Sequence, residues 1–270
     1  MVSPYKDLDR PPLRATTLRR ALVRPDSLWR EVRILEETPS TNAALAAAAV
    51  AGAEEGLVVV AEDQTAGRGR LGRTWSSPAR AGLTFSVLLR PGAIPDRTWT
   101  WVPLLTGLAV AESVEAVSDV GTRLKWPNDV LVDGRKVAGV LVERHNSALV
   151  VGVGLNVTTT ARELPGPETT SLSLADAAVT DRETLLRAVL RSLALRYLEW
   201  RDAGGDAAPI ADLYADRCAT LGADLRVALP DGTTVEGTGE RIDAHGRLVV
   251  RTALGEETLS AGDVLHVRPR

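Results

Sequence analysis

The stretch VVGVGLNV at residues 150–157 constrains the fold most tightly. Val151, Val153 and Leu155 alternate with Gly152, Gly154 and Asn156, which makes a strand with one regular apolar face and one face stripped to glycine and closed by an amide. Glycine inside a strand weakens it, so two on one face point to something lying against the backbone. A packed helix or chain meets that requirement, and so does a bound ligand, to which Asn156 would give a polar contact.

Helical and extended patterns alternate around this strand. Ser40 and Thr41 precede an alanine-rich run that stops at Gly52, the pattern of a helix from about Thr41 to Val50 with hydroxyls capping its first amides. GLVVVAEDQ and AGLTFSVLLR read as strands. DRTWTWVPLLTGLAVAESVEAV reads as a long helix with Pro103 near its first turn, and DVLVDGRKVAGVLVER as a hairpin around Asp133-Gly134. DRETLLRAVLRSLALRYLEWRDAG is an amphipathic helix closed by Gly204-Gly205, and APIADLYADRCATLG a further helix carrying a small buried Cys218. Upstream, ATTLRRALV makes one short helix opened by Thr16 or Thr17. From about Asp224 short β runs separated by PDGT, DAHGR and LGEE take over, as in a small all-β barrel.

Between the strands GLVVVAEDQ and AGLTFSVLLR lies QTAGRGRLGRTW, with three glycines and three arginines in residues 67–73. Gly67, Gly69 and Gly72 fit the G-x-G-x-x-G spacing of dinucleotide-binding folds. That motif needs a helix starting inside it to receive a pyrophosphate, and the residues after Gly72 have turn composition instead. Arginine interleaved with glycine has a different logic: glycine permits close approach of the backbone, and guanidinium forks give always-charged bidentate donors to phosphate or carboxylate. Such a loop can fold over an anion, although a solvated surface loop has the same composition.

In LKWPND, strand alternation sets Lys125 opposite Leu124 and Trp126, and Pro127 fixes the turn. A lone lysine there is by default a solvated edge residue. Together with Ser40-Thr41-Asn42 at a helix N-terminus, the bare sheet face and the arginine loop, it suits a substrate with a polar head and a phosphate-activated carboxylate. The chain has no Walker loop, so P-loop chemistry is excluded.

Composition narrows the classes further. Of 270 residues 44% are hydrophobic and 25% charged, as in an ordinary globular chain, and a net charge of -3 supplies no general field for nucleic acid. The single cysteine, Cys218, rules out an intrachain disulfide framework. With no signal-peptide pattern and no apolar run of membrane-span length, the reading is a cytoplasmic protein without a membrane partner. His145, His245 and His266 stand far apart and in no metal-ligand spacing, so no protein-held metal centre is expected.

Taken in order, Ser40-Thr41-Asn42, GRGRLGRTW, KWPND, GRKVAGVLVE and VGVGLNV resemble the motifs of the biotin–protein ligases, that is, the biotin–[acetyl-CoA-carboxylase] ligases. The resemblance runs from about residue 30 to the end. It implies an α/β mixed-sheet catalytic domain like those of class II aminoacyl-tRNA synthetases and lipoate ligases at 30–222, an SH3-like β-barrel at 223–270, and an N-terminal extension at 1–29. The implied reaction joins biotin and ATP to biotinyl-5'-AMP and pyrophosphate, then moves biotin to one lysine of a biotin carboxyl carrier protein domain of an acyl-CoA carboxylase. Mg2+ is expected with the ATP. Some members carry an N-terminal winged-helix domain. Only 39 residues precede Ser40 here, so the monofunctional type, without a DNA partner, is expected.

Residue by residue, the resemblance places Ser40, Thr41, Asn42 and Gln64 in the biotin pocket, where a ureido group needs donors and acceptors. Gly67, Arg68, Gly69 and Arg70 fall on the loop that closes over biotin and the adenylate. Lys125 matches the lysine at the biotin carboxylate and α-phosphate, and it and Arg70 are the expected catalytic residues. Gly139, Leu141 and Gly152 lie behind the ligand, and Asn156 meets the nucleotide phosphates. Many members stack a tryptophan on adenine from the loop after the asparagine-bearing strand; ETTSLSLAD has none, which leaves Trp75 for that place. The nearest rival reading is a lipoate–protein ligase, and a rival of another class is an RNA-binding module built on the arginine loop.

Overall fold

Runs of β-branched residues and runs rich in alanine and leucine alternate through most of the chain, and the computed structural model, which describes residues 10–266, folds them into alternating strands and helices. The first nine residues of the expected N-terminal extension, the last four of the C-terminal segment and the side chain of His266 lie outside the described residues. The order is α1 (Ala15–Leu22), β1 (Glu31–Thr38), α2 (Thr41–Val50), β2 (Leu57–Gln64), β3 (Gly82–Leu89), α3 (Trp101–Ser118), β4 (Arg123–Lys125), β5 (Asp129–Val132), β6 (Arg135–His145) and β7 (Ala148–Asn156). Then come α4 (Arg182–Asp202), α5 (Ala208–Arg217), β8 (Asp224–Ala228), β9 (Thr234–Ile242), β10 (Leu248–Thr252), β11 (Gly255–Leu259) and β12 (Asp263–His266).

β1 to β7 form one seven-stranded sheet in the order β1-β2-β3-β7-β6-β5-β4, with β1 and β2 parallel and every other pair antiparallel. One face carries the main core. α3 is buried on nearly every side, packed between this face and α4, which explains why its sequence is apolar all round rather than along a stripe. On the other face α2 covers only part of the sheet, where Leu45 packs with Leu57, Val59, Leu88, Ala148 and Val150. The expected hairpin is present, with Asp133 (φ 50) and Gly134 (φ 72) as the turn residues that reverse the chain between β5 and β6.

β8 to β12 make a separate five-stranded antiparallel sheet in the order β11-β10-β9-β8-β12. Two indoles fasten it to the larger sheet: Trp101 Nε1 donates to Ala244 O and Trp126 Nε1 to Gly246 O, both at 3.0 Å. The segment ahead of α1 is tied down by a buried ion pair. Arg182 lies 2.7 Å from Glu62, each side chain 6% exposed, and donates also to Pro11 O, while Glu62 accepts from the Leu13 amide.

Two local expectations are corrected. α1 begins at Ala15, after Arg14, and neither Thr16 nor Thr17 opens it; the Arg14 amide and guanidinium bind Glu183 instead and fix the start from outside the helix. Cys218 is buried, yet it stands one residue past α5 in extended conformation, where it pairs with Leu124, and burial pushes its thiol pKa up. Among the described residues no helix is long and apolar enough to cross a membrane.

Candidate active site

β7 explains the position of the site. The face that meets α2 reads Ala148, Val150, Gly152, Gly154, Asn156, and the first two pack under the helix. The change from valine to glycine comes where α2 ends, so the helix N-terminus overhangs a stretch of β7 without side chains. Register supplies the rest of this floor: Gly152 is flanked by Ser86 of β3 and Leu141 of β6, and Gly154 by Thr84 and Gly139. Cross-strand neighbours point to the same side, so three strands converge on one hollow.

The α2 N-terminus supplies its polar wall. Ser40 caps the helix by accepting from the Ala43 amide. Thr41 donates both its amide (2.8 Å) and its hydroxyl (3.0 Å) to Gln64 Oε1, the last residue of β2. Ser86 donates to Asn42 Oδ1 at 2.6 Å, and Asn42 Nδ2 donates to Glu143 Oε2 at 2.7 Å. A Cβ at Gly152 would overlap the Asn42 amide, so that glycine exists to let Asn42 lie on the sheet.

Trp75, at the exit of the Gly/Arg loop, covers the other half of the floor. A Cβ at Gly154 would overlap its indole, and one at Gly139 would touch both it and Lys136. The Lys136 ammonium stands 5.8 Å from the Trp75 ring centroid and 2.6 Å from Asp129. The indole Nε1 is buried without a hydrogen-bond partner, a donor that costs free energy until something accepts from it.

Three arginines of the loop reach three different anchors. Arg68 pairs with Glu143 at 3.2 Å, Arg70 donates to Asn128 Oδ1 at 2.9 Å, and Arg73 pairs with Asp263 at 2.9 Å. Burial lowers the Arg70 pKa, while neighbouring Asp129 counters it. The cavity lining holds four cations, Arg68, Arg70, Arg73 and Lys136, against two carboxylates, Asp129 and Asp263, an excess of positive charge that the Arg68–Glu143 pair offsets in part.

The structure gathers most of the residues singled out from sequence: Ser40, Thr41, Asn42, Gln64, Arg68, Gly69, Arg70, Trp75, Gly139, Leu141 and Gly152 all line this cavity. Three stand outside the lining. Lys125 projects from the cavity side of the sheet, opposite Asp129 and away from buried Leu124 and Trp126, but β4 is the edge strand and lies one strand too far out. Asn156 is 4% exposed and spends its amide on Thr170 O at 3.0 Å, fixing the loop after β7. Gly67 is a packing glycine, since a Cβ there would overlap Trp75 O and crowd Gln64.

Lys136 was missed by the motif reading because of a bulge. Counting by twos from Gly139 puts position 136 on the core face. In the pairing of β5 with β6, however, Val130 meets Ala138 and Leu131 meets Lys136, so Val137 is an extra residue and Lys136 turns to the cavity. Asp129 and Asn128 line the cavity beside it. Among the described residues no cluster of three or more His, Cys, Asp or Glu is arranged to hold a metal ion.

Comparison with known proteins agrees with this geometry. Residues 34–159 match the model of the biotin/lipoate A/B protein ligase family, and residues 220–267 that of the biotin protein ligase C-terminal domain. The biotin–[acetyl-CoA-carboxylase] ligase of Mycobacterium tuberculosis is 44% identical over 267 residues, 97% of this chain and 99% of that protein. The enzyme of the same name from Paracoccus denitrificans is 32% identical, across 86% of this chain and 98% of its own length. Among solved structures, the biotin protein ligase from Aquifex aeolicus in complex with biotin and ATP superposes with a TM-score of 0.76 at 28% identity, covering 89% of this chain and 100% of that one.

Proposed function

From the premise that the chain belongs to the biotin–protein ligase family, we propose that it activates biotin with ATP and transfers the biotinyl group to a lysine of a biotin carboxyl carrier protein domain. The observation that carries this reading is the juxtaposition in one hollow of an amide and hydroxyl wall, a glycine floor and four cations. In the first step a biotin carboxylate oxygen attacks the α-phosphorus of ATP and pyrophosphate leaves. In the second, the carrier lysine amine attacks the acyl carbon and AMP leaves.

Each part of the hollow has work in those steps. Ser40, Thr41, Asn42 and Gln64 offer the donors and acceptors that a ureido head needs. Lys136 and Arg70 are the cations that face the crowded oxyanions of adenylation, where fixed positive charge in a dry site lowers the barrier. Asp129, which pairs with Lys136 at 2.6 Å, is the carboxylate that would contact a magnesium ion entering with ATP, and such an ion would neutralise charge on the phosphate oxygens. The Gly/Arg loop shields the mixed anhydride from hydrolysis. The Trp75 indole N–H, buried on the cavity wall without a partner, is a donor available to a bound acid or its adenylate.

The division at residues 30–222 and 223–270 goes with this reading, supported by the passage from the larger sheet to the smaller one between α5 and β8. A cytoplasmic location does too, supported by the single reduced and buried cysteine. The test is mass spectrometry of a carrier domain incubated with the protein, ATP and either biotin or lipoate. One biotinyl group on one lysine, with pyrophosphate and AMP released in equal amounts, is expected. Transfer of lipoate in place of biotin would overturn the assignment.

A further inference from the structure

Between Arg68 and Thr74 the Gly/Arg loop contributes no buried side chain. Its place over the cavity therefore rests on polar tethers rather than on packing. Two tethers end on the seven-stranded sheet and the turn before β5, at Glu143 and Asn128. The third crosses to the five-stranded sheet, where Arg73 Nη2 lies 2.9 Å from Asp263 Oδ1, and Arg70 Nη1 comes within 3.5 Å of the Gly262 carbonyl.

The far end of that tether is fixed. Asp263 opens β12, which pairs with β8, and a Cβ at Gly262 would overlap Val227, so the backbone sits tight against the small sheet. That sheet is itself held by the Trp101 and Trp126 indoles. Asp263 also lines the cavity. A rigid body thus presents a carboxylate at the rim of the hollow to the most exposed arginine of a loop that has no core of its own.

We infer that Asp263 is a positioning residue: the C-terminal sheet latches the Gly/Arg loop over the cavity through the Asp263–Arg73 pair and so prolongs retention of the acyl-adenylate between the two half-reactions. The latch stands on geometry, and its consequence for the adenylate rests on the ligase reading. With the two side chains 39% and 56% exposed, the pair is screened by salt and supplies a factor of about five at most.

The experiment uses the full chain as wild type, Asp263→Ala, Arg73→Ala and the exchanged pair Arg73→Asp/Asp263→Arg. In the ligand-free protein, hydrogen exchange is followed at the Gly69 and Trp75 amides, which bond within the loop to Arg73 O and Gly67 O. Either single variant is expected to exchange about threefold to fivefold faster, the exchanged pair to return toward wild type, and the differences to shrink in about 1 M salt. Biotinyl-5'-AMP formed from biotin and ATP is expected to dissociate faster by the same factor in the single variants. Wild-type exchange in both single variants, or no recovery in the exchanged pair, overturns the latch. Faster exchange with unchanged adenylate retention overturns the role assigned to it. A wild type that makes no adenylate sinks the ligase reading, while the exchange measurement still decides the latch.

Discussion

At the scale of single residues, the site is built by what glycine leaves out and by one bulged position. Gly152 and Gly154 make room for Asn42 and Trp75, and those side chains are what the bare face of VVGVGLNV meets. The motif reading put the catalytic charge at Lys125, whereas the bulge at Val137 brings Lys136 to the cavity instead. Lys136→Ala is expected to lower the rate of biotin-dependent pyrophosphate release by about 100-fold, as removal of a fixed transition-state donor does, and Lys125→Ala by less than about tenfold. The opposite ranking, in variants with wild-type circular dichroism, would return the role to Lys125.

At the scale of elements, the floor of the site lies inside β3, β6 and β7, whereas much of its polar wall sits at ends: the N-terminus of α2, the end of β2, the turn into β5 and the start of β6. Ends are where backbone donors and polar side chains are left over from regular structure. The loop after β7 is joined to the segment before α1 by Arg10 and Glu163, 2.7 Å apart, and the Arg10 guanidinium, helped by the Thr160 amide and hydroxyl, lowers the Glu163 carboxyl pKa to about 2. A carboxyl depressed in this way stabilises the fold fully above its unfolded pKa of about 4.5 and loses that contribution as pH falls through the folded value. An NMR titration of the Glu163 carboxyl is expected to give a midpoint near 2. A midpoint at the unperturbed value would show that the tie does not form.

At the scale of the whole molecule, the buried Arg182–Glu62 pair joins α4, β2 and the N-terminal segment at one point. Arg182→Ala leaves Glu62 buried with its charge unpaired, and urea unfolding is expected to show a loss of about 3–5 kcal/mol; a loss below about 1 kcal/mol would mean that water reaches the carboxylate. Element type followed from the sequence almost throughout, because helix caps, turn glycines and the periods of 2 and 3.6 are local signals, and the ordered motifs carried the family. The start of α1 escaped that reading because Glu183, 169 positions away, sets it. Lys136 escaped it because alternation cannot reveal a bulge that only pairing with β5 creates. The residues by themselves determined a loop of interleaved glycine and arginine, a bare strand face and, through the ordered motifs, the family. Tertiary structure alone decided which lysine lines the cavity and where each arginine of the loop is anchored, since both depend on register and on contacts between distant segments.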